Sequence, residues 1–204
     1  MEIVFVRHGA TEWNLRHRLQ GGTDRALSET GENQALALRK AIAFLAPQLC
    51  FTSELLRARK TAHLLGYETP IYLSLLNEMN LGEWEGLTLG EIHELWSLDD
   101  YQAWRRGDFV PPKAETFAHF DTRIMSALSK IYGASREARA DRALVVAHGG
   151  VFRSLARRLF DLNPMVFSAV DPGSLSIFSL DRDDAGALSA QLIRYNWVPL
   201  SEDG

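Results

Sequence analysis

Two histidines stand at matching places in the chain. Arg7-His8-Gly9 follows the apolar run 3–6, and His148-Gly149-Gly150 follows the apolar run 143–147. Short runs of β-branched and aromatic residues are the pattern of buried strands. In open α/β sheets ligands bind at the carboxyl edge of the strands. Each run would therefore deliver an imidazole to that edge, one of them beside a guanidinium. His148-Gly149-Gly150 also opens a helix, whose unpaired N–H groups and dipole favour an anion, and glycine there lets a ligand approach the backbone. A single histidine of this kind reads as a hydrogen-bonded strand-end residue; two together, one preceded by arginine, do not.

A third edge position comes from Thr52-Ser53-Glu54-Leu55-Leu56-Arg57. Ser53 is placed at the N-cap of a helix over 54–65, with Arg57 one turn in and facing the same edge. Arg7 and Arg57 then make a pair of planar, permanently charged forks, which suit a tetrahedral oxyanion better than an ammonium does. The alternative for Arg57 is a solvated helix surface, which is the reading for Arg59 and Lys60. A glycine-rich acidic loop over 77–90 offers Glu78, Glu83 and Glu85 for proton transfer. On chemistry alone the three compete equally.

The elements that must hold these residues follow a regular rhythm. After the first strand, Ser28 caps a helix that Pro47 ends. A strand over 49–52, the helix carrying Arg57 with Gly66 as its stop, and a strand over 70–73 come next. Short helices over 91–96 and 99–106 are rich in tryptophan, and Pro111-Pro112 marks a break. A long helix over 116–136 places Phe117, Phe120, Ile124, Leu128 and Ile131 on one face. The strand over 143–147 leads into a helix over 151–160, and two strands over 174–180 and 188–195 flank an Asp/Gly turn as an edge hairpin. Alternating strands and helices predict an α/β three-layer sandwich, a mostly parallel sheet with helices on both faces. Residues 1–204 read as one domain with a small helical cap inserted at about 77–112. Trp84, Trp96, Trp104 and Phe109 either line a leaving-group pocket or pack the cap.

With 204 residues, a net charge of −4 and a pI near 5.9, the chain lacks the basic surface of a nucleic-acid or membrane binder. Its one cysteine, Cys50, sits in an apolar run and reads as an inert core thiol. No apolar run approaches the roughly 20 residues of a membrane span, and the N-terminus passes directly into a strand, so a cytoplasmic location is expected. The other histidines, His17, His63, His93 and His119, lack ligand spacing and read as structural or solvated.

These motifs together resemble the histidine phosphatase superfamily, which includes cofactor-dependent phosphoglycerate mutase and many small phosphatases. The resemblance is carried by Arg7-His8-Gly9 with Thr11 and Asn14, Gln20-Gly21, Leu27-Ser28 with Gly31, and Thr52-Ser53 with Leu55, Arg57-Ala58 and Thr61-Ala62. It continues through Glu78, Gly82-Glu83-Trp84-Glu85-Gly86 and Ala147-His148-Gly149-Gly150, so that it runs in order from residue 3 to about 155. It implies a phosphohistidine at His8, whose tautomer a backbone carbonyl would fix. Arg7, Arg57, His148 and Asn14 would hold the phosphoryl oxygens, with His148 as a charged donor. Thr11, Gln20, Gly21 and Gly149 would join them against the substrate, and Glu78 would be the general acid and base. Neither metal nor cofactor is expected, and the partner is a small phosphorylated metabolite, with a homodimer through the edge hairpin as an option.

The chain departs from the mutase pattern after the acidic loop. Mutases carry a longer basic segment there, whereas here only Arg105-Arg106 offers a second cationic cluster, with a surface position as the alternative. This favours a metal-independent phosphomonoester hydrolase, a histidine acid-type phosphatase, over a cofactor-dependent phosphoglycerate mutase or a non-catalytic phosphoryl-ligand module. A Gly-Gly-Glu-Ser run found in many phosphatase relatives is Lys113-Ala114-Glu115-Thr116 here, which leaves the turn at Ala114 in question.

Overall fold

The computed structural model describes residues 1–162 and 169–199. Its centre is β1 (Glu2–Arg7), in which Ile3, Val4, Phe5 and Val6 are all at most 1% exposed. Strand side chains alternate. Ile3 and Phe5 therefore enter one core, and Val4 and Val6 enter another on the opposite face. A strand buried on both faces needs a layer on each side.

The remaining strands are β2 (Leu49–Thr52), β3 (Ile71–Tyr72), β4 (Arg142–Ala147), β5 (Leu175–Arg182) and β6 (Leu188–Trp197). They form one sheet in the order β3-β2-β4-β1-β5-β6. β1, β2, β3 and β4 run parallel, while β5 and β6 form an antiparallel hairpin on the far side of β1. The three-layer α/β expectation holds. The β1–β4 register aligns Arg7 with Ala147, so the next residue on each strand is a histidine. The His8 N–H still bonds to the Ala147 carbonyl, at 3.0 Å.

One face is covered by α2 (Glu29–Leu45) and α3 (Leu56–Leu64), through Leu38, Ile42, Ala58 and Ala62. Ser28 caps α2 as expected, accepting the Gly31 N–H at 3.2 Å. The short α1 (Glu12–Leu15) precedes it. The other face is covered by α6 (Phe117–Glu137) and α7 (Gly149–Leu159), together with α4 (Leu89–Leu95) and α5 (Leu98–Arg106).

Two local expectations are corrected. Ser53 does not cap the helix after β2. The helix begins at Leu56, and its N-cap residue, Leu55, makes no side-chain cap bond. The Ser53 hydroxyl instead faces Asn77 and His148 (below). The turn before α6 takes its strain at Lys113 (φ +62°), not at Ala114. Gly82 packs so close there that a Cβ would sit 2.0 Å from the Pro112 carbonyl oxygen.

Trp84 is fully buried, in the core shared with Ile3 and Phe5. Trp96, Trp104 and Phe109 pack around it with ring centroids 6.0, 5.8 and 5.7 Å away. Trp84, Trp96 and Phe109 thus pack within or against this core, and Trp104 alone of the four also lines the cavity described next. Cys50 is buried, and burial pushes its thiol up to about 12, as an inert core thiol requires.

Candidate active site

The carboxyl edge of β1 and β4 floors a cavity of about 210 Å³. Arg7, His8, Asn14, Gln20, Gly21, Arg57, Glu78 and Gly149 all line it. Volumes of roughly 300–1,000 Å³ are usual for drug-sized ligands, so the space suits a small molecule.

His8 is 3% exposed, and its Nδ1 lies 2.7 Å from the Gly9 carbonyl oxygen. A carbonyl only accepts, so Nδ1 carries the proton and Nε2 presents a lone pair. Burial, then the neighbouring Arg57 and Arg7, hold the imidazole well below its ordinary value. The ring is therefore neutral and nucleophilic at neutral pH.

His148 lies 5.1 Å from His8, centroid to centroid. Arg57 Nε donates to its Nδ1 at 3.3 Å, and its Nε2 is 2.8 Å from Ser53 Oγ. A guanidinium has only donors, so Nε2 bears the hydrogen and donates to Ser53. Ser53 Oγ in turn donates to Asn77 Oδ1 at 2.8 Å. Burial, then Arg57, keep His148 well below the usual imidazole value. In place of the expected charged donor, His148 is held neutral, because the lack of solvent and the nearby cations oppose a further positive charge; its one N–H goes to Ser53, and it does not line the cavity.

Arg57 is fully buried, which removes the surface reading. Its Nη1 donates to the Thr23 carbonyl and its Nη2 to the Gly21 carbonyl, both at 2.8 Å. Burial lowers it to about 10, so it stays charged at neutral pH. Arg7 donates through Nη1 to the Val170 carbonyl, while its Nε is buried without an acceptor among the described residues. Gly149 leaves it room, since a Cβ there would lie 3.4 Å from the Arg7 guanidinium carbon.

Thr11 is fully buried and does not line the cavity, contrary to expectation. It caps α1 in a reciprocal box with Asn14, and its N–H donates to Asn14 Oδ1 at 3.1 Å. The Gln20 amide, oriented by its neighbours, donates to Thr11 Oγ1 at 2.8 Å and accepts from Arg57 Nη1 at 3.0 Å. Thr11 acts behind Asn14 and Gln20, which do face the cavity.

Geometry separates the three glutamates that chemistry left equal. Glu83 pairs with Lys113 at 3.0 Å on the outside. Glu85 accepts from the N–H groups of Gly22, Thr23 and Leu81 at 2.7, 2.9 and 3.0 Å, which staples two loops together. Glu78 is the one of the three that lines the cavity. Its Oε2 accepts the Gly150 N–H at 2.9 Å, and its Oε1 accepts the Met79 N–H at 2.8 Å.

Four further residues have site roles that the sequence did not reveal. Ser53 orients His148, as described. Arg123 on α6 donates to the carbonyls of Leu75, Asn77 and Glu78 at 2.8, 2.6 and 3.1 Å, and forks onto Glu115 at 2.7 and 2.8 Å. It grips the backbone that carries Glu78. Arg153, with Arg157, lines the cavity from α7, so Arg105-Arg106 is not the sole second cationic cluster. The available signal was the 3- and 4-residue spacing of Gly150, Arg153, Ser154 and Arg157 on one helix face.

The site can bind a tetrahedral anion among arginine, imidazole and amide donors, attack it with a neutral imidazole, and move a proton through a carboxyl group. Among the described residues, no group of three or more His, Cys, Asp and Glu side chains gathers in metal-binding fashion. No helix among them is long and apolar enough to cross a membrane.

The chain is similar to known proteins. Residues 3–192 match the family model described as histidine phosphatase superfamily (branch 1). The chain is 33% identical over 171 residues to a 2,3-bisphosphoglycerate-dependent phosphoglycerate mutase of Bartonella henselae, covering 79% of this chain and 82% of that one. Among solved structures, a mycobacterial glucosyl-3-phosphoglycerate phosphatase complexed with VO3 matches with TM-score 0.84 and 28% identity, over 96% of this chain and 98% of that one. The alpha-ribazole phosphatase of Shigella flexneri matches with TM-score 0.79 and 26% identity, over 100% of both chains.

Proposed function

The chain belongs to branch 1 of the histidine phosphatase superfamily, and from that premise we propose that it hydrolyses phosphate monoesters of a small metabolite through a phosphohistidine at His8. The observation that carries this reading is the His8 tautomer. The bond from Nδ1 to the Gly9 carbonyl leaves a lone pair on Nε2 beside two arginines.

Arg7, Arg57, Asn14 and Gln20 surround the phosphoryl oxygens, and His148 supports Arg57 from behind. They neutralise the charge that spreads over those oxygens in a loose transition state. His8 Nε2 forms a bond to phosphorus as the ester P–O bond breaks, and Glu78 gives its proton to the leaving alkoxide. The Glu78 carboxylate then takes a proton from water, and the resulting oxygen nucleophile attacks phosphorus and releases phosphate. His8 returns to its neutral tautomer. Arginines supply the neutralising charge, so no metal is assigned a role.

The experiment is turnover of p-nitrophenyl phosphate in EDTA, with trapping of an acid-labile phosphoenzyme. Both are expected, and His8→Ala should lose both; substantial turnover by that variant ends this mechanism. The mutase relatives support a second reading, phosphoglycerate mutase. A coupled assay with and without 2,3-bisphosphoglycerate separates the two, because hydrolysis alone needs no such primer.

A further inference from the structure

We infer that Asn196, on β6, is a positioning residue for the phosphoryl site, and that it acts through the turn that holds Arg7. The inference rests on the phosphatase reading only in taking the phosphoryl group as the ligand of Arg7.

The two arginines of the site are held unequally. Arg57 is fixed by the Gly21 and Thr23 carbonyls and by His148 Nδ1. The Arg7 guanidinium donates to the Val170 carbonyl, and its buried Nε has no acceptor among the described residues. A fork hung from one carbonyl goes where that carbonyl goes. The placement of Val170 therefore sets the aim of Arg7.

Val170 leads into the turn Asp171-Pro172-Gly173-Ser174. Proline and glycine (φ +69°) occupy its central positions, and the Ser174 N–H closes it on the Asp171 carbonyl at 3.1 Å. Its far side is stitched to the end of β1. The Gly173 N–H donates to the carbonyls of Arg7 and His8 at 3.2 and 3.0 Å, and the Arg7 N–H donates to the Ser174 carbonyl at 3.1 Å. Its near side, next to Val170, is held by Asn196. Asn196 Oδ1 accepts the Asp171 N–H at 2.6 Å, and Asn196 Nδ2 donates to the Asp171 carboxylate at 2.8 Å.

The backbone at Asn196 is shaped for that grip. Its φ of +49° lies in the left-handed region, where asparagine is enriched. The pairing of β5 with β6 slips beside it, between Leu175 and Ile177, and such bulges re-aim side chains. Its own N–H donates to Oγ of the buried Ser176 at 3.0 Å, which anchors the bend. Asp171 also acts on Arg7 by charge. Burial lowers the Arg7 pKa, and Glu78 and then Asp171 raise it. One amide thus fixes both the carbonyl beneath Arg7 and a carboxylate that supports its charge.

The test is calorimetric binding of inorganic phosphate, which needs no turnover. Asn196→Gly keeps the left-handed backbone and removes the amide. It should weaken phosphate binding by about tenfold, the scale of two hydrogen bonds. In an Arg7→Gln background the same change should alter binding by less than about twofold, because its effect passes through Arg7. Asn196→Asp sets two carboxylates against each other and should lose at least as much as Asn196→Gly. Adding Asp171→Asn exchanges donor and acceptor, and should bring binding back to within about threefold of the wild type. Unchanged binding in Asn196→Gly, an equal loss in both backgrounds, or no recovery in the exchanged pair would overturn the positioning role. A wild type that binds no phosphate would overturn the phosphoryl reading and this inference with it, so the two failures are told apart.

Discussion

Arg57 donates to the Nδ1 of His148, so that one cation fixes the tautomer of the second imidazole of the site. Its two remaining nitrogens hold the Thr23 and Gly21 carbonyls. A lysine would supply one point charge where three directed donors now act. Arg57→Lys should therefore lower kcat/KM by about 100-fold and should not behave as a conservative change. Steady-state kinetics with p-nitrophenyl phosphate measure this; a loss below threefold would deny the fork its role.

Gly150 gives a cleaner probe of the acid. A Cβ there would fall 2.2 Å from Glu78 Oε1, against the end of a side chain that can swing away. Alanine also favours a helix over glycine by roughly 1 kcal/mol. Gly150→Ala should keep or raise Tm while reducing kcat for alkyl phosphates by about 100-fold, the usual scale of general acid catalysis. Aryl phosphates, which leave without help, should lose far less.

Arg123 grips three successive stretches of the loop that carries Glu78, and its ion pair with Glu115 is largely shielded from solvent, the two side chains being 14% and 11% exposed. Arg123→Ala should destabilise the protein by about 3 kcal/mol. It should also steepen the dependence of kcat on leaving-group pKa, because a displaced acid penalises poor leaving groups most. Chemical denaturation and a series of substituted phenyl phosphates read the two effects separately. A uniform loss across the series would reduce Arg123 to a purely structural part.

The two buried imidazoles carry a stability consequence with a definite sign. Both have folded values well below 6.5, their ordinary value. Below pH 6.5 the unfolded chain takes up protons that the folded site refuses, so stability is full above that pH and falls as acid is added. The loss approaches about 1.4 kcal/mol per pH unit for each histidine until the folded value is reached. Denaturation midpoints between pH 7 and pH 5 should fall more steeply for the wild type than for the His8→Gln/His148→Gln variant.

Much of the floor of the site was legible because it obeys short-range rules. Apolar runs ending at His8 and His148 predict strands, and a parallel register brings their ends together. What escaped depends on long-range contact. Nothing local distinguishes Ser53 as a partner of His148 from Ser53 as a helix cap, since both roles ask for a hydroxyl just after a strand. Arg123 is one more cation on an amphipathic helix until the fold lays the Glu78 loop against it. The charge of His148 was misjudged for the same reason, since desolvation and the approach of Arg57 are properties of the assembled site.

The Trp84 cluster is continuous with the core that holds Ile3, Phe5 and Val145, while the donors around His8 come from the ends of β1, β2 and β4 and from the segments that follow them. Leu81, Trp104 and Phe117 can therefore be exchanged without touching the atoms that bind and break the phosphate ester. A lineage built on this plan can drift from one metabolite to another through this apolar wall, keeping its reaction intact while its diet changes.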